Sequence, residues 1–70
     1  MLMIYARTMS AKGQVENVAI SASDFKDRKD AVVHLEKLIE QFKPNSGYEG
    51  EQDYWWIREN GVVTRYTIGS

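Results

Sequence analysis

Asp53-Tyr54-Trp55-Trp56-Ile57-Arg58-Glu59-Asn60-Gly61-Val62-Val63-Thr64-Arg65-Tyr66-Thr67-Ile68 is the stretch from which the fold of this 70-residue chain is read. Two runs rich in β-branched and aromatic residues flank an Asn-Gly pair. A two-residue hairpin turn needs positive φ at both central positions, which Asn and Gly supply at least cost. The turn sets the register: Glu59 opposes Val62, Ile57 opposes Thr64, Trp55 opposes Tyr66 and Asp53 opposes Ile68. Directly opposed residues share a face, so the reverse face carries Arg58 with Val63, Trp56 with Arg65 and Tyr54 with Thr67. The first set is the more apolar and is expected inside. The adjacent indoles therefore part, Trp55 inward and Trp56 outward.

Just before this hairpin, Asn45-Ser46-Gly47 and Gly50 mark residues 43–52 as a loop. Before the loop, Ala31, Val32, Leu35, Leu38, Ile39 and Phe42 recur at helical spacing and form one apolar stripe. Asp24 or Asp27 can cap the free N–H groups at its start, and Lys43-Pro44 ends it. The spacing predicts a helix over residues 26–43. At the other end of the chain, residues 2–10 and 14–22 alternate as strands around Ala11-Lys12-Gly13. A three-residue loop with Gly13 in the left-handed conformation pairs Ser10 with Gln14. Ala6 then opposes Val18, Ile4 opposes Ile20 and Leu2 opposes Ala22 on an apolar face. Tyr5 opposes Ala19, Arg7 opposes Asn17 and Met9 opposes Val15 on the other.

The order of elements is thus ββαββ, an α+β two-layer sandwich in which one helix covers one face of a four-stranded sheet. A right-handed helical crossover most simply sets the first and fourth strands side by side and parallel, giving the sheet order 2-1-4-3. That arrangement resembles the β-grasp topology of the immunoglobulin-binding domains of proteins G and L. The resemblance lies in topology without a shared motif, so it implies a fold and not immunoglobulin binding. The expected core is Leu2, Ile4, Ala6, Val18, Ile20, Ala31, Val32, Leu35, Leu38, Ile39, Phe42, Trp55, Ile57, Tyr66 and Ile68. One domain, residues 1–70, with so small a core stands near the lower limit of independent stability, which makes a homodimer a natural expectation.

Composition narrows the function. The absence of cysteine excludes disulfides and cysteine-based metal or redox sites. Nine basic against ten acidic residues, a net charge of −1, argue against a protein that coats phosphate backbones. No apolar run reaches the ~18 residues of a membrane span, and Met1-Leu2-Met3-Ile4-Tyr5 lacks a signal peptide's basic lead, so a soluble cytoplasmic chain without a membrane partner is expected. His34 is the sole histidine, with Asp30 one turn earlier and no second imidazole or thiol to complete a metal site. Glu49, Glu51 and Asp53 read as solvating acids in a loop. Phosphate-binding loops and nucleophile–histidine sets are missing, so neither an enzyme nor a cofactor is expected.

What remains is the sheet face that a single helix cannot cover. It carries Met3, Tyr5, Arg7, Met9, Val15, Ala19, Tyr54, Trp56, Arg58, Val63 and Arg65, and no carboxylate. Tyr5, Arg7, Tyr54, Trp56, Arg58 and Arg65 are the candidate binding residues, because tyrosine, tryptophan and arginine bury large areas at small entropic cost. The plainer alternative is cross-strand pairing, with Trp56 and Arg65 forming a cation–π pair. As an interface the face suits a protein partner or a second copy of the chain. Single-stranded nucleic acid is the alternative ligand, since arginine-flanked aromatic platforms stack bases. Strands 2 and 3 would be free edges open to strand addition, with Lys12 and Glu16 as weak protection. The chain reads as a small non-enzymatic protein-binding module with an accessory or inhibitory role against a larger assembly. Phage-encoded inhibitors of host defence nucleases are one such class.

Overall fold

The computed structural model describes residues 1–10 and 12–70, the side chain of Glu16 excepted. Ala11 in the first hairpin loop and the edge role of Glu16 lie outside the described residues. The chain forms β1 (Leu2–Met9), β2 (Val15–Phe25), α1 (Arg28–Glu40), β3 (Ser46–Glu49), β4 (Tyr54–Glu59) and β5 (Val62–Gly69). The strands make one antiparallel sheet in the order β2-β1-β5-β4-β3, and α1 packs on one of its faces.

The second hairpin forms as its turn chemistry dictates. Asn60 and Gly61 adopt φ of 54° and 77°, and the ladder runs in the expected register from Glu59–Val62 to Trp55–Tyr66. Beyond it Asp53, at φ 59°, turns the chain toward β3, so the expected Asp53–Ile68 pair does not form.

The four-stranded order 2-1-4-3 and its β-grasp likeness require correction. Ser46–Glu49, expected within a loop, pairs with β4 as a fifth strand. One extra strand between helix and hairpin reverses the direction of everything after it. The last strand therefore meets β1 antiparallel, from Met3–Gly69 to Met9–Val63, and not parallel. Gly47 disguises this strand, because glycine normally weakens a strand interior. Here the indole of Trp56, directly opposite, fills the empty space.

The first hairpin closes at the expected residues: Ser10 donates to the Gln14 carbonyl at 2.8 Å, and Gly13 takes φ 81°. Its register then slips. Met9 opposes Val15, but one extra residue on β2 makes Thr8 oppose Asn17, Arg7 oppose Val18, Ala6 oppose Ala19 and Tyr5 oppose Ile20. Two further irregularities bring Ile4 opposite Ala22 and Leu2 opposite Phe25, with Asp24 held at φ 68°. A slip of one residue exchanges the faces. Val18 and Ile20, expected in the core, stand 53% and 58% exposed, and Ala22 and Phe25 pack against the core instead.

The helix is shorter than expected at both ends. Asp27 is extended and its carboxylate accepts the Asp30 amide at 3.0 Å, an N-cap that by its nature lies outside the helix. At the far end Gln41 and Phe42 donate to the carbonyls three residues back, tightening the chain before Pro44. The last turn is tied to the sheet by the buried Ser46 hydroxyl, which donates to the Ile39 carbonyl at 2.5 Å. Ile4, Ala31, Leu35, Ile39, Trp55 and Ile57 form the buried centre, with Val32, Leu38, Phe42, Tyr66 and Ile68 around it. Leu2 and Ala6 are half-buried and lie outside this cluster. No helix among the described residues is long and apolar enough to cross a membrane.

A polar latch joins the start of α1 to the turn between β3 and β4. Asp53 accepts from Arg28 at 2.5 Å and from the Tyr48 hydroxyl at 2.7 Å, while the Tyr48 ring lies against Trp55 with centroids 4.6 Å apart. The Tyr48 hydrogen bond, then that of Arg28, hold the Asp53 carboxyl below its ordinary value. A carboxylate whose pKa falls on folding adds stability above its unfolded value, near 3.9, and that contribution is lost as the pH drops through the folded value. Melting followed from about pH 6 to about pH 2 should therefore show a shallower acid limb in Asp53→Asn than in the parent. Identical acid limbs would contradict the latch.

Candidate functional site

The face opposite α1 is built of rungs that cross the sheet. One runs Val18, Arg7, Arg65, Trp56 and Gly47, each directly opposed to the next, across all five strands. Beside it run Val15, Met9, Val63 and Arg58 on one side, and Ile20, Tyr5 and Thr67 on the other. Tyr54 and Glu49 continue that side on β4 and β3. The face is thus apolar along β2, cationic in the middle and aromatic toward β4.

Tyr54, Trp56, Arg58 and Arg65 converge with Val63 on a shallow cavity of about 210 Å³, open to solvent. Arg65 lies over the Tyr54 ring at 4.6 Å from its centroid, and Arg58 over the Trp56 ring at 5.9 Å. The expected Trp56–Arg65 cation–π pair is replaced by these two. Each arginine instead reaches over a ring that is not directly across the ladder. Trp56 is seated on Gly47, where a β-carbon would stand 3.1 Å from three indole atoms.

Tyr5 and Arg7 share the face but lie on the β1 side of the cavity and do not line it. Arg7 donates to the Thr67 hydroxyl at 2.6 Å, and Tyr5 rests over Gly69 much as Trp56 rests over Gly47. Ala19, expected on this face, is turned to the other by the register slip, and Val18 and Ile20 take its place. The slip leaves no mark in the sequence, and Gly47 becomes a sign of a ring seat only once β3 is paired with β4 and sets it across from Trp56.

The electrostatics are one-sided. Arg7 and Arg65 are directly opposed, an arrangement that like charges disfavour. The ion pairs among the described residues, Arg28–Asp53 and Lys43–Glu40, leave Arg7, Arg58 and Arg65 without a carboxylate. The Nε of Arg65 is buried with no hydrogen-bond partner among the described residues. Glu49, the acid that β3 adds to the rim of the face, is engaged by the Gln52 amide at 2.8 Å. Elsewhere, His34 is exposed and meets the edge of Phe25 with centroids 5.5 Å apart. Among the described residues, no group of three His, Cys, Asp or Glu side chains gathers as metal ligands.

The seat of Trp56 can be tested directly. Gly47→Val should cost about 1–3 kcal/mol by overpacking, and the displaced indole should alter the near-ultraviolet circular dichroism. Gly50→Ala, whose β-carbon meets only Tyr48 at an ordinary 3.7 Å, should leave both readouts close to the parent. No family model, no curated protein and no solved structure matches this chain.

Proposed function

We propose that the protein is a small non-enzymatic binding module that acts on a protein partner through its helix-free sheet face, in an accessory or inhibitory capacity. The observation that carries this reading is the convergence of Tyr54, Trp56, Arg58 and Arg65 around one cavity on that face. Aromatic rings and guanidinium groups are the side chains that dominate binding energies when an interface closes over them. The lining favours binding over acid–base chemistry, because guanidinium groups and aromatic rings dominate it and no histidine, carboxylate or lysine lines it. The edges suit strand addition less well. β2 is interrupted by three register irregularities and β3 is only four residues long, both of which blunt an edge.

A photo-crosslinking residue placed at Val63, within the cavity, tests the reading in extracts of the producing cells. It should join the chain to one protein of defined mass, and the same group at Val33 on the exposed side of α1 should not. Equal labelling from the two positions, or none from Val63, would overturn the assignment.

A further inference from the structure

We infer that the occupant of this face is an acidic segment of the partner protein, with a carboxylate held by Arg65 and Arg7 beside Trp56; this deepens the binding-face reading and rests on it. Charge complementarity argues first. Arg7, Arg58 and Arg65 lack carboxylate partners among the described residues, and two of them oppose each other directly. An anion between them turns a repulsive rung into a bridged one. Stacking on Tyr54 and the hydrogen bond to Thr67 hold Arg65 and Arg7 in place before any ligand arrives. The Arg65 Nε is buried with no hydrogen-bond partner among the described residues, an uncompensated desolvation that a carboxylate bound at the same guanidinium would offset.

The same geometry speaks against the other occupants. Bases need free aromatic faces to stack on, and here Arg65 lies over Tyr54, while Gly47 and Arg58 border Trp56. A cavity of about 210 Å³ is also small beside those that hold whole ligands. A second copy docked face to face would set one arginine rung against the other, since a two-fold contact presents the same patch twice. Next to the arginines, Val18 and Ile20 offer exposed apolar surface for the neighbouring side chains of an acidic segment.

Titration of the intact protein with a short peptide of alternating Glu and Leu tests the inference, followed through the arginine Nε–Hε resonances. Those of Arg65 and Arg7 should shift, and that of Arg28, already paired with Asp53, should not. Binding should weaken with added salt, and Arg65→Gln or Arg7→Gln should each lower affinity about 10- to 100-fold while melting near the parent. Equal binding of the Gln counterpart of the peptide, tighter binding of oligothymidylate, or unmoved Arg65 and Arg7 resonances would overturn the acidic-partner inference. Should the Val63 crosslink persist in that case, the binding face stands and only the partner's chemistry is wrong; should it also be absent, both fall.

Discussion

Trp55→Ala is expected to leave the chain largely unfolded near room temperature, while Trp56→Ala stays folded and melts only about 4–8 °C below the parent. Trp55 is 3% exposed, at the centre of the cluster of Ile4, Ala31, Leu35, Ile39 and Ile57. Its ring is flanked by Tyr48 at 4.6 Å and by the Arg28 guanidinium at 5.8 Å. Truncating a buried tryptophan costs about 3–5 kcal/mol. In a chain of 70 residues a single core rarely supplies more than about 3–5 kcal/mol, so the loss takes most or all of it. Trp56 is half-buried on Gly47, and its removal forfeits cross-strand and cation–π contacts worth about 1 kcal/mol. Urea titrations followed by far-ultraviolet circular dichroism separate the two cases; equal losses would mean that the indoles share one environment.

Leu35→Ala should be the most damaging truncation on the helix. Leu35 is fully buried and faces the sheet between Ala31 and Ile39, one turn to either side. The cavity left behind cannot collapse against a rigid sheet, so a cost of about 2–5 kcal/mol is expected. Val33→Ala, on the far side of the same helix and 43% exposed, should stay within about 0.5 kcal/mol of the parent. Comparable costs at the two positions would mean that α1 is rotated from the orientation described.

Legibility of the fold followed the range of the forces involved. Asn60-Gly61 sets its hairpin by local backbone preference, so the register from Glu59–Val62 to Trp55–Tyr66 was readable from two residues. The helix stripe was readable for the same reason, with Asp27 as its cap. The slip between β1 and β2 was not, because an inserted residue needs only a small local bend and Val15, Val18 and Ile20 look apolar on either face. β3 was hidden because Gly47 is tolerated only through a tryptophan nine residues later in the chain, a contact that no local propensity records. Tyr54, Trp56, Arg58 and Arg65 are legible as a set from their shared face. Their pairing is not, since opposition in the ladder fixes which side chains are neighbours and not over which ring a long arginine extends.

The opposed directions of residues 55 and 56 and the positive charge around the outer one can be measured together. In Trp55→Phe, which keeps only Trp56, iodide should quench the fluorescence strongly and caesium weakly, because the arginines concentrate anions at that indole. In Trp56→Phe, which keeps only Trp55, neither ion should quench appreciably. Equal quenching of the two indoles, or caesium matching iodide at Trp56, would contradict a cationic aromatic face opposite the helix.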